Sequence, residues 1–280
     1  LNYKEISTNK RVRSLYMMVP RLNYFTFILE KVKSAFDEFV PSDLIDAYEG
    51  MWFEYNGQQL KWDVPLGVQF DTAIGFGSDA TELPWQLVFH YKGCDDDKMV
   101  KLTKNGGLIG IKYIEFSFIN SLKESHVLRM GSANEILAQM KKYEEEKLLD
   151  GVQKHNFELF WEINQPLCDK HIADMKKYAI RVFSNKYANF VQPSYEIHQD
   201  EGKDFEKWEQ ENYDVTIGEF LAKSFPNLFV LDESQGGKAV RQIKQFEIVC
   251  HGLRIDLNTP IYWLQLNMSY LDNFVYLSLH

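Results

Sequence analysis

Four residues in the first quarter of the chain recur, in order and at the same spacing, near its end. Gly57, Leu60, Pro65 and Leu66 stand at the same relative positions as Gly252, Ile255, Pro260 and Ile261, an offset of 195 residues in every case. Each set runs into a helix-compatible stretch, Leu66 to Phe70 and Ile261 to Leu266, and then a terminal strand-like run, Trp85 to Tyr91 and Phe274 to Leu279. A common ending at one fixed offset is what duplication of a fold leaves in sequence. The 280 residues are therefore expected to hold two copies of one unit with other material between them.

The first copy reads as a strand over Arg11 to Val19. Pro20 fits the first turn of a helix in which Leu22, Phe25, Leu29, Val32, Phe36 and Phe39 recur at spacings of three and four. Trp52 to Trp62 reads as two short strands about Asn56-Gly57, a pair suited to the left-handed backbone of a tight hairpin turn. Strand, helix, strands, short helix, strand is the order of a β-grasp, the ubiquitin-like fold. The second copy is expected to open with a strand over Ala179 to Ser184 and to carry its helix over Thr216 to Ser224. It then turns at Gly236-Gly237 and continues as one strand over Ala239 to Val249. An insertion from Glu196 to Asp214, with eight acidic and two basic residues, carries -6 of the total charge of -9 and reads as a solvated loop.

Between the copies the periodicity changes to that of helices. One is expected from Tyr113 to Met130, ending at Gly131; a capping box, Ser132-Ala-Asn-Glu135, opens a second that runs to about Leu149 and stops at Gly151. A third places Phe157, Phe160, Trp161, Asn164 and Cys168 on one face. The expected class is α+β: a ubiquitin-like domain over residues 1–108, a helix-rich domain over 109–177, and a second ubiquitin-like domain over 178–280 with the acidic insertion at 196–214.

Composition narrows the function. A net charge of -9 and a pI near 5.3 oppose a broad nucleic-acid footprint, which needs a surplus of Lys and Arg on at least one face. Apolar runs such as Ser14 to Val19 and Leu228 to Leu231 fall far short of the roughly 20 residues of a membrane-spanning helix. Cys94, Cys168 and Cys250 lie far apart without CxxC or Cys/His ligand spacing, which fits a reducing, cytosolic setting. No secretory segment is read at the opening of the chain, and because it begins with Leu1 instead of Met its start is expected to have been trimmed or left out. No Walker, GxGxxG, HExxH or GxSxG motif is present, so no metal, cofactor or catalytic group is expected. Cys250-His251 would point to opposite faces of a strand, and His126 and His155 stand as lone imidazoles.

One residue departs from its pattern. Phe116, Ile119, Val127 and Met130 form an apolar stripe with Lys123 in its middle, while Ile114, Phe118, Leu122 and Leu128 form another. One stripe should pack the local core and the other meet a partner or water. A lysine among apolar neighbours loses hydration, which favours the neutral, nucleophilic amine. Trp52, Trp62, Trp85 and Trp263 cluster near the ends of the two repeats and are candidates to line a groove for an amphipathic helix.

The blocks Trp52-Phe-Glu-Tyr-Asn-Gly-Gln-Gln-Leu-Lys-Trp62, Pro65-Leu-Gly-Val-Gln-Phe-Asp71, Leu83-Pro-Trp85, Phe157-Glu-Leu-Phe-Trp161 and Tyr270-Leu-Asp-Asn-Phe274 resemble the autophagy protein 5 family, in its fungal form. The resemblance implies two ubiquitin-like domains flanking a helix-rich one, and a non-catalytic scaffold in autophagosome formation. It implies an isopeptide bond between the ubiquitin-like autophagy protein 12 and the lysine of Ser121-Leu-Lys-Glu-Ser125, which is Lys123. It further implies transient contact with the conjugating enzyme, binding of the amino-terminal helix of autophagy protein 16, and attachment of a second ubiquitin-like protein to phosphatidylethanolamine. Peripheral membrane contact at the preautophagosomal structure would fall to Lys141, Lys142, Lys147 and Lys154, although Glu144 to Glu146 interrupt them. The end at Leu279-His280 lacks Gly-Gly, so the chain is expected to accept a modifier and not to be one. The competing readings are a cysteine-dependent conjugating enzyme using Cys94, Cys168 or Cys250, and an unmodified double β-grasp binding module.

Overall fold

A computed structural model describes residues 1–8, 11–75, 83–95, 102, 111–131, 140–168, 174–185, 190–197, 213–232, 239–243 and 246–280. Contacts divide the chain into two units, one of Leu1–Phe70 and Gly77–Phe118, the other of Asp71–Phe76 and Ile119–His280.

In the first unit β1 (Trp52–Tyr55), β2 (Gln58–Leu60) and β3 (Val88–His90) form an antiparallel sheet in the order β2-β1-β3. Asn56 and Gly57 take φ of 49° and 78°, the left-handed pair whose twist matches that of the strands they join. This register sets Phe53 opposite both Leu60 and Phe89 and turns it into the core. There it stacks on Phe25 at 4.6 Å and meets Trp62 edge-on at 5.7 Å. Phe25 opens α1 (Phe25–Phe36), which buries Phe25, Leu29, Val32 and Phe36 on one stripe. The helix begins at Phe25 and not at Pro20, because the Pro20 carbonyl accepts the Asn23 amide at 3.0 Å in a turn ahead of it. Two further helices follow, α2 (Ser42–Ile45) and α3 (Leu66–Ile74).

The expected strand over Arg11 to Val19 does not form: the segment enters none of the described ladders, and Leu15, Tyr16 and Met18 are exposed. Apolar and β-branched composition suits a pleated surface, but a strand requires a partner edge. Beside β3 stands Asn2, whose amide donates to Phe89 O at 2.9 Å, while the buried Glu5 carboxylate accepts the Tyr91 amide at 2.8 Å. The run expected from Trp85 is likewise paired only over Val88–His90.

In the second unit the helical residues come first. α4 (Ile111–Met130) reaches into it and ends at Gly131, whose φ is 75° and whose amide donates to Val127 O at 2.8 Å. The capping box at residues 132–135 lies outside the described residues. Met140 and Lys141 are not helical, so the next helix, α5 (Lys142–Lys154), starts there and is not an unbroken run from Ser132. Gly151 is no stop either: α5 passes through it and ends at His155, which is left-handed with φ of 54°. Gly151 is glycine because a Cβ would lie 2.7 Å from the Phe160 amide, so its absence lets α5 approach α6 (Phe157–Cys168). On α6, Phe160 and Asn164 are buried, whereas Phe157 is exposed and stacks on Trp161 at 5.7 Å.

The sheet of this unit has the order β4-β9-β7-β8, from β4 (Ile180–Ser184), β9 (Val275–Leu279), β7 (Ile248–Cys250) and β8 (Leu253–Arg254). β4 runs parallel to β9 and the other pairs are antiparallel, the β-grasp arrangement, with all five residues of β9 buried in the middle. His251 and Gly252 take φ of 52° and 77°, repeating the Asn56-Gly57 turn, and α8 (Ile261–Asn267) follows Pro260 as α3 follows Pro65. The 195-residue offset thus marks one recurring device, a left-handed hairpin turn and a proline-led helix.

The expected single strand over Ala239 to Val249 is two strands in different sheets. β6 (Ala239–Gln242) pairs with β5 (Phe229–Asp232), and β7 pairs with β9. The Gln242 side chain, at the end of β6, binds both the amide and the carbonyl of Phe246, just ahead of β7, at 3.1 and 3.3 Å. Gly236-Gly237 and positions 198–212 of the acidic insertion lie outside the described residues.

α7 (Ile217–Ser224) carries a capping box: Thr216 Oγ1 accepts the Glu219 amide at 3.2 Å and Glu219 Oε2 accepts the Thr216 amide at 2.8 Å. Thr216→Ala should lower stability by about 1 kcal/mol, read as an earlier urea midpoint. An unchanged midpoint would show that Glu219 alone satisfies the helix end. Among the described residues no helix is long and apolar enough to cross a membrane.

Candidate functional site

The 3.6-residue period of α4 separates its sides cleanly. Ile114, Phe118 and Leu122 are buried, so this stripe is the core-facing one; of the other, Ile119 is buried while Phe116, 70% exposed, and Val127 open to solvent. Lys123 follows Leu122 with its side chain 40% exposed.

The residues flanking Lys123 are tied down. Ser125 Oγ donates to Asp272 O at 2.7 Å, and the hydroxyls of Ser121 and Tyr276 both donate to Asp272 Oδ2. Arg181, on β4, donates through Nη1 to Ser121 Oγ at 2.7 Å and to Tyr276 OH at 3.2 Å, through Nη2 to Glu124 Oε2 at 2.9 Å, and through Nε to Gln192 at 2.9 Å. Its guanidinium lies 3.7 Å from the Phe274 ring centroid, an aromatic face that favours a cation. Arg181 and Asp272 are both buried and 3.7 Å apart, so each offsets the other's lost hydration. One turn on, Arg129 donates to Leu167 O at 2.9 Å; burial draws its guanidinium below the ordinary arginine value, with Cys168 opposing.

Lys123 itself turns to α5. Its Nζ donates to Glu145 Oε1 at 2.6 Å, and the Glu145 side chain is 25% exposed. The amine is therefore ion-paired, not held in the wholly apolar stripe that the periodicity suggests. The three consecutive glutamates of α5 have separate partners: Glu144 accepts the Lys141 amide at 2.7 Å, Glu146 lies 3.7 Å from Lys142, and Glu145 reaches Lys123. Glu145, Arg181 and Asp272 were not singled out in the sequence, though Arg181 interrupts the apolar strand Ile180-Arg-Val-Phe-Ser184 and Asp272 sits inside the Tyr270-Leu-Asp-Asn-Phe274 block.

The other candidates fall in varied surroundings. Trp62 fills the core at 1% exposure, and Trp85 packs among Phe25, Tyr55 and Phe70. Trp52 stacks on His90 at 3.9 Å and donates to Lys92 O at 3.0 Å. Trp263, on α8, is 50% exposed. Lys147 pairs with Glu162 at 2.6 Å and Lys154 with Asp150 at 2.7 Å, while Lys141 lies over the Tyr143 ring at 5.9 Å. Cys250 is buried; Cys168 Sγ donates to Asn273 Oδ1 at 3.0 Å; Cys94 is half-buried. Among the described residues no group of His, Cys, Asp and Glu is arranged to hold a metal ion.

A ubiquitin-like domain at each end of the chain, with a helical bundle region between, defines a class of double ubiquitin-like proteins, and comparison with known proteins agrees on all three parts. Residues 1–91 match the family model of the autophagy protein ATG5 UblA domain, residues 111–170 that of its alpha-helical bundle region, and residues 177–279 that of its UblB domain. The chain belongs to the autophagy protein 5 family. It is 24% identical to autophagy protein 5 of Drosophila melanogaster over 94% of this chain and 85% of that one. With the Penicillium rubens protein identity is 29% over 59% of this chain and 53% of that one. The crystal structure of Kluyveromyces marxianus Atg5 has the same fold, with a TM-score of 0.73 at 18% identity, covering all of this chain and 93% of that one. Membership gives the chain a role in autophagy.

Proposed function

We propose that the chain is the acceptor scaffold of a conjugate: Lys123 receives the carboxyl-terminal glycine of autophagy protein 12 in an isopeptide bond, and the product binds the amino-terminal helix of autophagy protein 16. The assembly promotes attachment of a second ubiquitin-like protein to phosphatidylethanolamine at the preautophagosomal structure, and the chain supplies no catalytic group to that step. The observation that carries this reading is Lys123 itself, a partly exposed amine on a helical turn whose neighbours Ser121, Glu124 and Ser125 are bonded to buried groups. A fixed turn presents an amine to an incoming thioester without first having to be ordered.

The same reading assigns helix docking to aromatic surface. Of the four tryptophans, Trp263 offers the most open ring, Trp52 and Trp85 offer part of theirs, and the buried Trp62 acts through the core beneath. Lys141, Lys142, Lys147 and Lys154 supply peripheral contact with an anionic membrane in competition with their acidic neighbours. A thioester at Cys250 is disfavoured by its full burial.

The test is reconstitution with the activating and conjugating enzymes, ATP and autophagy protein 12, followed by reducing electrophoresis and peptide mapping. An adduct that survives reductant and maps to Lys123, and that Lys123→Arg abolishes while remaining folded, is the expected result. An adduct lost on reduction, or one that persists in the Arg variant, would assign the linkage elsewhere.

A further inference from the structure

Lys123 has a partner that the acceptor role must reckon with. A protonated lysine has no lone pair to attack with, and the Glu145 carboxylate receives a hydrogen bond from this amine at 2.6 Å. Glu145 reaches across from α5 while its neighbours are engaged elsewhere, Glu144 at the helix start and Glu146 with Lys142. The carboxylate is largely screened from solvent, with 25% of its side chain exposed, and it approaches from a second helix, so it limits the directions in which the long lysine side chain swings.

We propose that Glu145 is a catalytic residue of the conjugation reaction, aiming the Lys123 amine and accepting its proton as the isopeptide bond forms. This inference rests on the acceptor reading of Lys123. In the step, the ammonium gives one proton to the Glu145 carboxylate and the freed nitrogen lone pair attacks the thioester carbonyl of the modifier. The C–N bond forms, the C–S bond breaks, and the conjugating enzyme's cysteine leaves as a thiolate. The second nitrogen proton goes to that thiolate to give the thiol, and Glu145 releases the first to water. No oxidant or metal enters, and the amide nitrogen retains one hydrogen. A positioned base of this kind contributes on the order of 10²-fold or more to a rate. The resting ion pair, being partly exposed, contributes little to stability, so the carboxylate is replaceable without unfolding.

The experiment is single-turnover transfer of autophagy protein 12 from its charged conjugating enzyme to the full chain. Wild type is compared with Glu145→Gln, Glu145→Asp and the neighbouring control Glu146→Gln, with the adduct site mapped and thermal unfolding recorded for each. The expected result is a roughly 100-fold lower maximal rate for Glu145→Gln, an intermediate rate for Glu145→Asp and a wild-type rate for Glu146→Gln. Half-saturating enzyme concentration and unfolding midpoint should stay unchanged. Transfer to Glu145→Gln at the wild-type rate or faster would overturn the inference, as would a loss confined to half-saturation, which marks a docking contact, or an equal loss in Glu146→Gln, which marks a general charge effect. A wild-type adduct at Lys123 combined with an unimpaired Glu145→Gln removes this inference alone; a folded wild-type chain with no adduct at Lys123 removes the acceptor reading with it.

Discussion

Asp272→Ala is expected to destabilise the protein by about 3 kcal/mol, because it removes the buried counter-charge of Arg181 and leaves the half-exposed Glu124 as its remaining anionic partner. Arg181 keeps Ser121, Glu124, Gln192 and Tyr276 as hydrogen-bond acceptors or neighbours, but only Asp272 is both anionic and fully buried beside it. The hydroxyls of Ser121 and Tyr276 lose their shared acceptor at the same time. Urea unfolding followed by circular dichroism measures the loss, and a change below about 1 kcal/mol would mean that water replaces the carboxylate. The pairwise character of the effect is separately testable. Arg181→Met in the Asp272→Ala background should cost less than Arg181→Met alone, since the second change then removes a charge that has already lost its buried partner. The loss should also reach the surroundings of Lys123, because the same groups hold the turn on either side of it.

Trp62→Ala is expected to produce a loss of similar size, about 3–5 kcal/mol, as a large ring leaves the core of the first unit and the space cannot fully collapse. Trp62 is 1% exposed and meets Phe53 edge-on, and Phe53 in turn stacks on Phe25 and meets Phe89 at a tilt, so the cavity would open at the junction of sheet and helix. Trp263→Ala, by contrast, removes a ring that is 50% exposed and should stay within about 0.5 kcal/mol of wild type. Measured side by side with capture of a helical partner peptide, the two variants separate a fold defect from a docking defect. Weaker capture by Trp263→Ala at unchanged stability would mark docking surface. Equal destabilisation by both would return Trp263 to the core.

What the sequence made legible was whatever the backbone itself demands. A hairpin turn with two left-handed residues favours Asn-Gly or its like, so Asn56-Gly57 announced one turn, while the offset matched Gly57 to Gly252 without showing that His251, read as part of a strand, is left-handed too. Helices with an apolar stripe, α1 and α4, were legible for the same local reason. Features set by distant partners were not. Nothing within Arg11 to Val19 tells whether another strand meets its edge, and nothing within Ala239 to Val249 shows that its two ends join different sheets. Gly151 looked like a helix stop because glycine often is one, while its actual part is to admit the Phe160 backbone. At the site, periodicity singled out Lys123 but not Glu145, since one glutamate among three consecutive ones is distinguished only by which way the helix turns it.

The parallel pairing of β4 with β9 also governs when this domain can come into being. Ile180 of β4 lies beside Val275 of β9, some 95 residues further along, and β9 fills the centre of the sheet with β7 on its other side. A chain leaving the ribosome therefore displays β4, three of whose five residues are apolar and four of which are destined for burial, long before its partner has been made. Contacts so far apart in sequence close slowly, and a strand edge waiting for them is open to mispairing. The newly made chain thus has a vulnerable interval between synthesis of Ser184 and of Leu279, during which shielding by a chaperone would matter most.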